Sequence, residues 1–204
     1  MPKKHASVGR PAGVRGSATL AAIRAAGTQL LYQEGYEGMS LRHLAAAAGI
    51  QVGSLYNHIQ GKQALLALLL NDYTSEMLQG LEPALASSST PADRLRAFVR
   101  YHIGFHTRRL PEASICLSEL RHLKGEQRRS VQELRDRYER QFGEIVDAGI
   151  AAGDFSVTDP GLAAFAVLGM ITSVIGWYKA EGQLTPEQIA EVYSDLALAT
   201  LGAA

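Results

Sequence analysis

An all-α fold of about nine helices, arranged in two parts, is what this chain of 204 residues predicts, on three observations. Apolar residues recur at helical spacing through most of its length, and no segment sustains the alternation of a half-buried strand. Helix starts are marked by a capping residue followed by proline, as in Thr90-Pro91, Asp159-Pro160 and Thr185-Pro186. Gly35, Gly49 and Gly125 stand where periodic stretches end, the natural place for a residue without a Cβ. The length suits one molecule of two helical parts.

Residues 1–16 lack periodicity and are rich in Gly, Pro and basic side chains, which reads as a flexible arm. Such an arm either adds contacts to phosphate or the minor groove or is simply solvated. Leu20, Ile23, Gly27, Leu30 and Leu31 mark a first helix over 17–34, stopped by Gly35. Ser40 is a good N-cap for a second, on which Leu41, Leu44, Ala45 and Ala48 form one stripe. Gly49 ends it and Ile50 points back into the shared core. A third helix begins near Gln51, with Val52, Leu55 and Ile59 on its inner face. Gln51, Gly53, Ser54, Asn57 and His58 are left on the outer face. A glycine turn joining two short helices with one shared inner stripe is a helix-turn-helix over about 40–59, whose second member enters the major groove of DNA.

A helix, then GYEGMS, then LRHLAAAAGI, then VGSLYNHIQGK, resembles the DNA-binding domain of the tetracycline-repressor (TetR) family of bacterial transcription regulators. The resemblance covers about residues 12–77 and implies a domain over 17–77. It implies that Ser40 and Arg42 touch phosphate and that Val52, Gly53 and Ser54 face base edges, with Gln51 beside them. It further implies that Tyr56 and His58 hold the DNA backbone and that Lys62 anchors another phosphate, with Asn57 on the same face. Gln51 replaces the family's usual Ser or Thr, and Ile59 its commoner Phe. The implied partner is double-stranded operator DNA, met by a homodimer at a pseudo-palindrome.

Charge agrees. Residues 1–62 carry seven Lys and Arg against Glu34 and Glu37, a net +5, so the remainder carries −5 and the neutral total hides a basic head. Such a head binds a polyanion with steep salt dependence.

The remaining helices follow in order. Residues 62 to about 81 form one that is apolar on every side at 64–70, hence buried. Thr90 caps the next, to about Arg109; Pro111 restarts the chain as far as Leu123. A long helix over 126–152 carries the stripe Val131, Leu134, Tyr138, Phe142, Ile145 and Gly149, with Glu133/Arg137 and Asp136/Arg140 paired outside. Residues 161–178 are uncharged, and the final helix, opened by a capping box at Thr185 and Gln188, has the stripe Ile189, Val192, Tyr193, Leu196, Ala199 and Thr200. The uncharged run falls short of the roughly 20 apolar residues of a usual span. Its small residues Gly169, Ser173 and Gly176 suit close packing against a second subunit, so no membrane is expected.

Residues 78–204 thus read as a domain for ligand binding and dimerisation. Phe98, Tyr101, His102 and Phe105 crowd one side of their helix, and Tyr138, Phe142 and Trp177 offer further aromatics for a tunnel that takes an apolar small-molecule effector. Plain core packing is the alternative for each. Arg108, Arg109, Arg121, Lys124, Arg128 and Arg129 gather at chain reversals, where ligand phosphates or solvent would meet them. The segments SELRHL, RDRYE and IGWY resemble the branch of the family that answers to acyl-coenzyme A thioesters, which implies an acyl-CoA effector, its acyl part in the aromatic tunnel and its phosphates on the arginine cluster that includes Arg121. A lipophile sensor that ignores coenzyme A is the alternative. A metal sensor through His102 and His106, at i,i+4, is a third reading, with His106 otherwise assigned to the helix end. No nucleophile, paired-carboxylate or HExxH signature points to an enzyme, and no cofactor is expected. A single cysteine, Cys116, and the lack of an apolar N-terminal stretch fit the cytoplasm.

Overall fold

The computed structural model describes residues 12–203, with side chains from position 16, and every regular element among them is helical. The arm expected over 1–16 lies outside the described residues as far as position 11. From Ala12 the chain is already helical, so the first helix starts earlier than its apolar stripe announces. Two units divide the chain, residues 1–66 and 67–204, and the division falls within one helix, α4 (Lys62–Leu85).

The first unit holds α1 (Ala12–Gly38), α2 (Leu41–Ala47), α3 (Val52–Leu55) and the opening turn of α4. Gly35 breaks α1 with φ 69° and ψ 176°, where the sequence expected the helix to stop. Ser40 caps α2, its hydroxyl accepting from the His43 amide at 3.1 Å. Gly49 ends α2 in the left-handed conformation, φ 67°. The Gly49 amide donates to Ala46 and the Ile50 amide to Ala45, so the last carbonyls are satisfied in a Schellman turn. Beneath this pair lie Ile23, Leu30, Leu31, Met39, Leu44, Leu55 and Ile59, all buried. Three helices around one apolar centre fix the angle at which α3 is presented.

The second unit continues with α5 (Pro91–Arg108), α6 (Leu110–Ser118), a 3-10 turn (Leu120–His122), α7 (Gly125–Ala152), α8 (Pro160–Thr172), α9 (Val174–Trp177) and α10 (Pro186–Thr200). Helix α5 is its axis, in contact with α6, α7, α8, α9 and α10. Thr90 caps it as expected, accepting from the Asp93 amide. The helix expected up to Leu123 instead stops at Ser118 and passes into the 3-10 turn. At the end of α7, Gly149 lets the chain fold back, since a Cβ there would overlap the Phe155 ring. The Ser156 amide donates to the Leu201 carbonyl at 2.9 Å and ties this reversal to the C-terminal turn.

Two expectations need correction here. The pairs Glu133/Arg137 and Asp136/Arg140 do not form; Asp136 instead accepts from Gln132 at 2.8 Å, and exposed i,i+4 pairs gain too little to fix long side chains. On α10 the inner face is Ile189, Ala190, Ser194, Ala197 and then Leu201, while Val192 and Leu196 of the expected stripe point outward. Small residues face α5 because α10 lies so close along it; the larger ones are left on the surface.

Candidate functional site

Two surfaces invite partners, one in each unit. In the first, α3 is one turn long and continues as a tight turn, the Asn57 amide donating to Ser54 and the His58 amide to Leu55. Leu55 and Ile59 point inward and are buried. Val52, placed by its spacing on the inner face, is 37% exposed because the first residue of so short a helix turns away from α2. The inner stripe is therefore Leu55 and Ile59 alone. Val52 joins Gln51 and Gly53 on an outer surface, with Ser54 half-buried beside them. Tyr56 is 56% exposed and Asn57 is exposed, while His58 is half-buried. Ser40 and Arg42 are exposed at the start of α2, although the Ser40 hydroxyl already serves as a cap. Lys62 lies over the Tyr36 ring, its nitrogen 4.5 Å from the centroid, and donates to the Glu37 carbonyl at 3.5 Å. That holds the ammonium at the start of α4 while its remaining hydrogens stay free for an anion. The result is an exposed surface of Gln51, Val52, Gly53, Tyr56 and Asn57 over an apolar base.

In the second unit a cavity of about 90 Å³ lies among α4, α5, α6, α7 and α8–α9. Met77, Ala113, Leu168 and Ile175 supply its apolar wall. Its polar wall has two systems built on α5. The Tyr73 hydroxyl meets His106 Nδ1, and His102 is held between the Tyr138 hydroxyl at 3.1 Å and the Thr172 hydroxyl at 3.2 Å. The two imidazoles are 4.2 Å apart, edge to face, one helical turn from each other. Burial drives the His102 imidazole well below its usual range, with His106 adding to the effect, and lowers that of His106 to about 4. Both rings are thus neutral at pH 7. Burial likewise raises Tyr73 and Tyr138, which stay protonated. Cys116 also lines the cavity, its thiol pushed up by burial. Leu117, Arg135 and Glu139 stand at the rim, where Leu117 and Glu139 reach solvent.

Of the side chains expected to bind a ligand, His102 and Tyr138 line this cavity. Phe98 and Phe142 lie behind it, 4.7 Å apart, and Phe98 supports the Tyr138 ring at 5.1 Å. Tyr101 donates to the Met77 carbonyl at 2.7 Å, and Phe105 packs on Tyr73 at 5.1 Å, so both brace the wall from outside. Burial raises the Tyr101 hydroxyl to about 12. Arg121 is exposed, its Nε against His122 at 3.3 Å, and Trp177 is exposed beside Tyr193. Neither reaches the cavity. Within the arginine cluster, Arg109 is paired with Glu76 and with Glu112, and Arg128 donates to the Leu120 carbonyl. His106 lies in the last turn of α5, where it was expected, and is buried there against Tyr73. No group of three or more metal-ligating side chains occurs among the described residues. Tyr73, Thr74, Cys116, Arg135 and Thr172 are cavity residues that periodicity missed. Thr172, a polar residue inside an uncharged run, was the one visible signal.

A model of bacterial regulatory proteins of the tetR family matches residues 23–69, and a tetracyclin repressor-like C-terminal domain matches residues 88–201. The HTH-type transcriptional repressor KstR2 of Rhodococcus jostii is 25% identical over 171 residues, covering 83% of this chain and 84% of that one. A tetR-family regulatory protein from Rhodococcus RHA1 superposes with a TM-score of 0.86 at 28% identity, over 91% of this chain and 98% of the other. AibR, solved in complex with isovaleryl coenzyme A and operator DNA, superposes with a TM-score of 0.80 at 31% identity, over 87% of this chain and 97% of its own.

Proposed function

Since the chain belongs to the TetR family of transcription regulators, which bind DNA and are not enzymes, we propose that it is a cytoplasmic repressor released from a pseudo-palindromic operator by a short-chain acyl-CoA. The observation that carries this reading is the presence of an exposed α3 in one unit and of a partly apolar cavity in the other. The likeness to AibR, whose structure holds isovaleryl coenzyme A and operator DNA, supports the effector class. So does the size of the cavity: a dry cavity of about 150 Å³ accepts benzene, so one of about 90 Å³ suits an acyl group of a few carbons. Arg135, the lysine or arginine among the lining residues, would face a coenzyme's phosphates.

On the DNA side, Gln51, Val52, Gly53 and Ser54 would read base edges, and Tyr56, Asn57, His58, Ser40, Arg42 and Lys62 would hold phosphates. A homodimer presents two such surfaces. Its face is the outer side of α8 and α10, where Phe165 is 73% exposed and Leu162, Val192 and Leu196 are exposed with it. The run from Pro160 to Trp177 is long and apolar enough to cross a membrane by composition alone. A second copy of the same face accounts equally for that apolarity, since contiguous exposed apolar surface marks association. Effector binds more tightly to the conformer that fits the operator less well, and its differential affinity sets how far repression is lifted.

Selection of operators from random duplexes, repeated with and without a panel of acyl-CoA thioesters, tests the whole reading. Recovery of a palindromic sequence that short-chain thioesters release is the expected result; binding that no thioester alters excludes the effector class. Tyr56→Ala should weaken operator binding by about tenfold, as loss of a backbone contact does, while leaving sedimentation as a dimer unchanged. Unaltered affinity in a gel-shift titration would remove Tyr56 from the interface.

A further inference from the structure

Building on the reading of this cavity as the effector site, we propose that it selects ligands by a carbonyl oxygen, as in a thioester or ketone, because its wall holds two hydrogen-bond donors to which the protein offers no acceptor. The inference comes from counting polar hydrogens. Tyr73 and neutral His106 carry two between them and share one bond, the hydroxyl meeting Nδ1. If the phenol donates, the imidazole keeps a hydrogen on Nε2. If Nδ1 donates, the phenol keeps its own. Neither polar group has another hydrogen-bond partner among the described residues, and both side chains line the cavity. One hydrogen is left over in either tautomer.

The second system gives the same answer. Tyr138, His102 and Thr172 carry three polar hydrogens and share two bonds, at 3.1 and 3.2 Å. One remains, on the Thr172 hydroxyl or on the Tyr138 hydroxyl according to the direction of the chain. The third polar pair on the wall is closed: Thr74 donates to the Leu70 carbonyl at 2.7 Å, so the Cys116 thiol donates to Thr74. Protonating either histidine would add a donor and never an acceptor.

One spare donor therefore belongs to each of two hydrogen-bonded systems on the same wall, whose imidazoles are 4.2 Å apart. Tyr73, His102, His106 and Tyr138 are each more than nine-tenths buried, so bulk water is a poor substitute for an acceptor. Leaving such donors unpaired is costly. A carbonyl oxygen has two lone pairs and brings no hydrogen of its own. A methylene in its place would leave both donors unpaired, the situation in which a hydrogen-bonding site rejects an analogue most strongly. The apolar wall of Met77, Leu168 and Ile175 then takes the chain beyond the carbonyl.

The test is calorimetry on the full-length protein with isovaleryl-CoA and with its S-isopentyl thioether, in which the carbonyl is replaced by methylene. Free cyclopentanone and cyclopentane are compared in parallel through the histidine C2–H resonances. The thioester should bind about tenfold or more tightly than the thioether, and Tyr73→Phe/His106→Leu should narrow that gap to about threefold. Equal affinity for the two CoA ligands overturns donor selection and leaves the acyl-CoA reading standing. Cyclopentanone shifting the histidine signals, with cyclopentane silent and neither CoA ligand binding, overturns the acyl-CoA reading and supports donor selection. No response to any of the four overturns both. Should the double variant fail to fold, the wild-type comparison of thioester with thioether decides alone.

Discussion

The two units handle polar groups in opposite ways. In the first, the buried side chains among the described residues are apolar, from Ile23 to Leu66, and hydrogen-bonding side chains are kept at the surface around α3. In the second, His102, His106, Thr74, Thr107, Glu119 and Ser194 are buried, together with the hydroxyls of Tyr73 and Tyr138. A unit that recognises a large external polyanion needs only a stiff apolar base and an exposed rim. One that encloses a small molecule must bury polar groups next to it, against a desolvation cost that each hydrogen bond must offset. On the proposed function the difference follows: the first unit would hold its ligand outside its core, the second inside.

That contrast breaks most sharply at Phe98, which no solvent reaches and which stacks on Phe142, Tyr138 and His102. Phe98→Ala should destabilise the second unit by about 3–5 kcal/mol, the range for a buried aromatic truncated to alanine. The chain has one tryptophan, Trp177 in α9, so its fluorescence reports this unit alone during urea unfolding. A midpoint unchanged from wild type would mean that the cavity wall collapses without strain, and that the polar systems need no such support.

Acid sharpens the contrast with a somewhat smaller effect. A base whose folded pKa is depressed binds its proton more readily in the unfolded chain, so stability is present above the unfolded value and is lost as pH falls. For His106 the window runs from 6.5 down to about 4, and the loss by its lower end is roughly 3 kcal/mol. His102 is shifted in the same direction, also by burial. His43 and His58 in the first unit are not buried. Urea midpoints followed at Trp177 should therefore fall between pH 6.5 and pH 4, and His106→Leu should flatten the fall. A wild-type midpoint independent of pH across that window would show the imidazoles to be solvated.

Helix positions were legible wherever a cap or a glycine marked them, as at Ser40, Gly49, Thr90 and Thr185, because those residues answer to local backbone chemistry. What was not legible depended on packing distance. Val52 and Val192 are apolar at helical spacing and yet face outward, the one because α3 is a single turn, the other because α10 lies against α5 through Ala190, Ser194 and Ala197. Aromatic content drew attention to Phe98, Tyr101, Phe105, Phe142 and Trp177 as a tunnel. The cavity is instead lined by Tyr73, His106, Cys116 and Thr172, along with His102 and Tyr138. Which ring lines a void and which lies behind it is set by a few ångströms between helices, and periodicity carries no such information.

The smallest effect separates structure from recognition within the first unit. The Ser40 hydroxyl accepts from the His43 amide and is exposed, so it is both a helix cap and a candidate phosphate contact. Ser40→Ala should cost about 1 kcal/mol of stability in this unit and lower operator affinity as well, which does not distinguish the two roles. Ser40→Asp does, because aspartate caps as well as serine while its charge repels phosphate. Thermal melting of the aspartate variant should return to the wild-type value, and its operator affinity should fall below that of the alanine variant, most steeply at low salt, where screening is weakest. Recovery of both would reduce Ser40 to a cap and shift the phosphate contacts at the start of α2 onto Arg42.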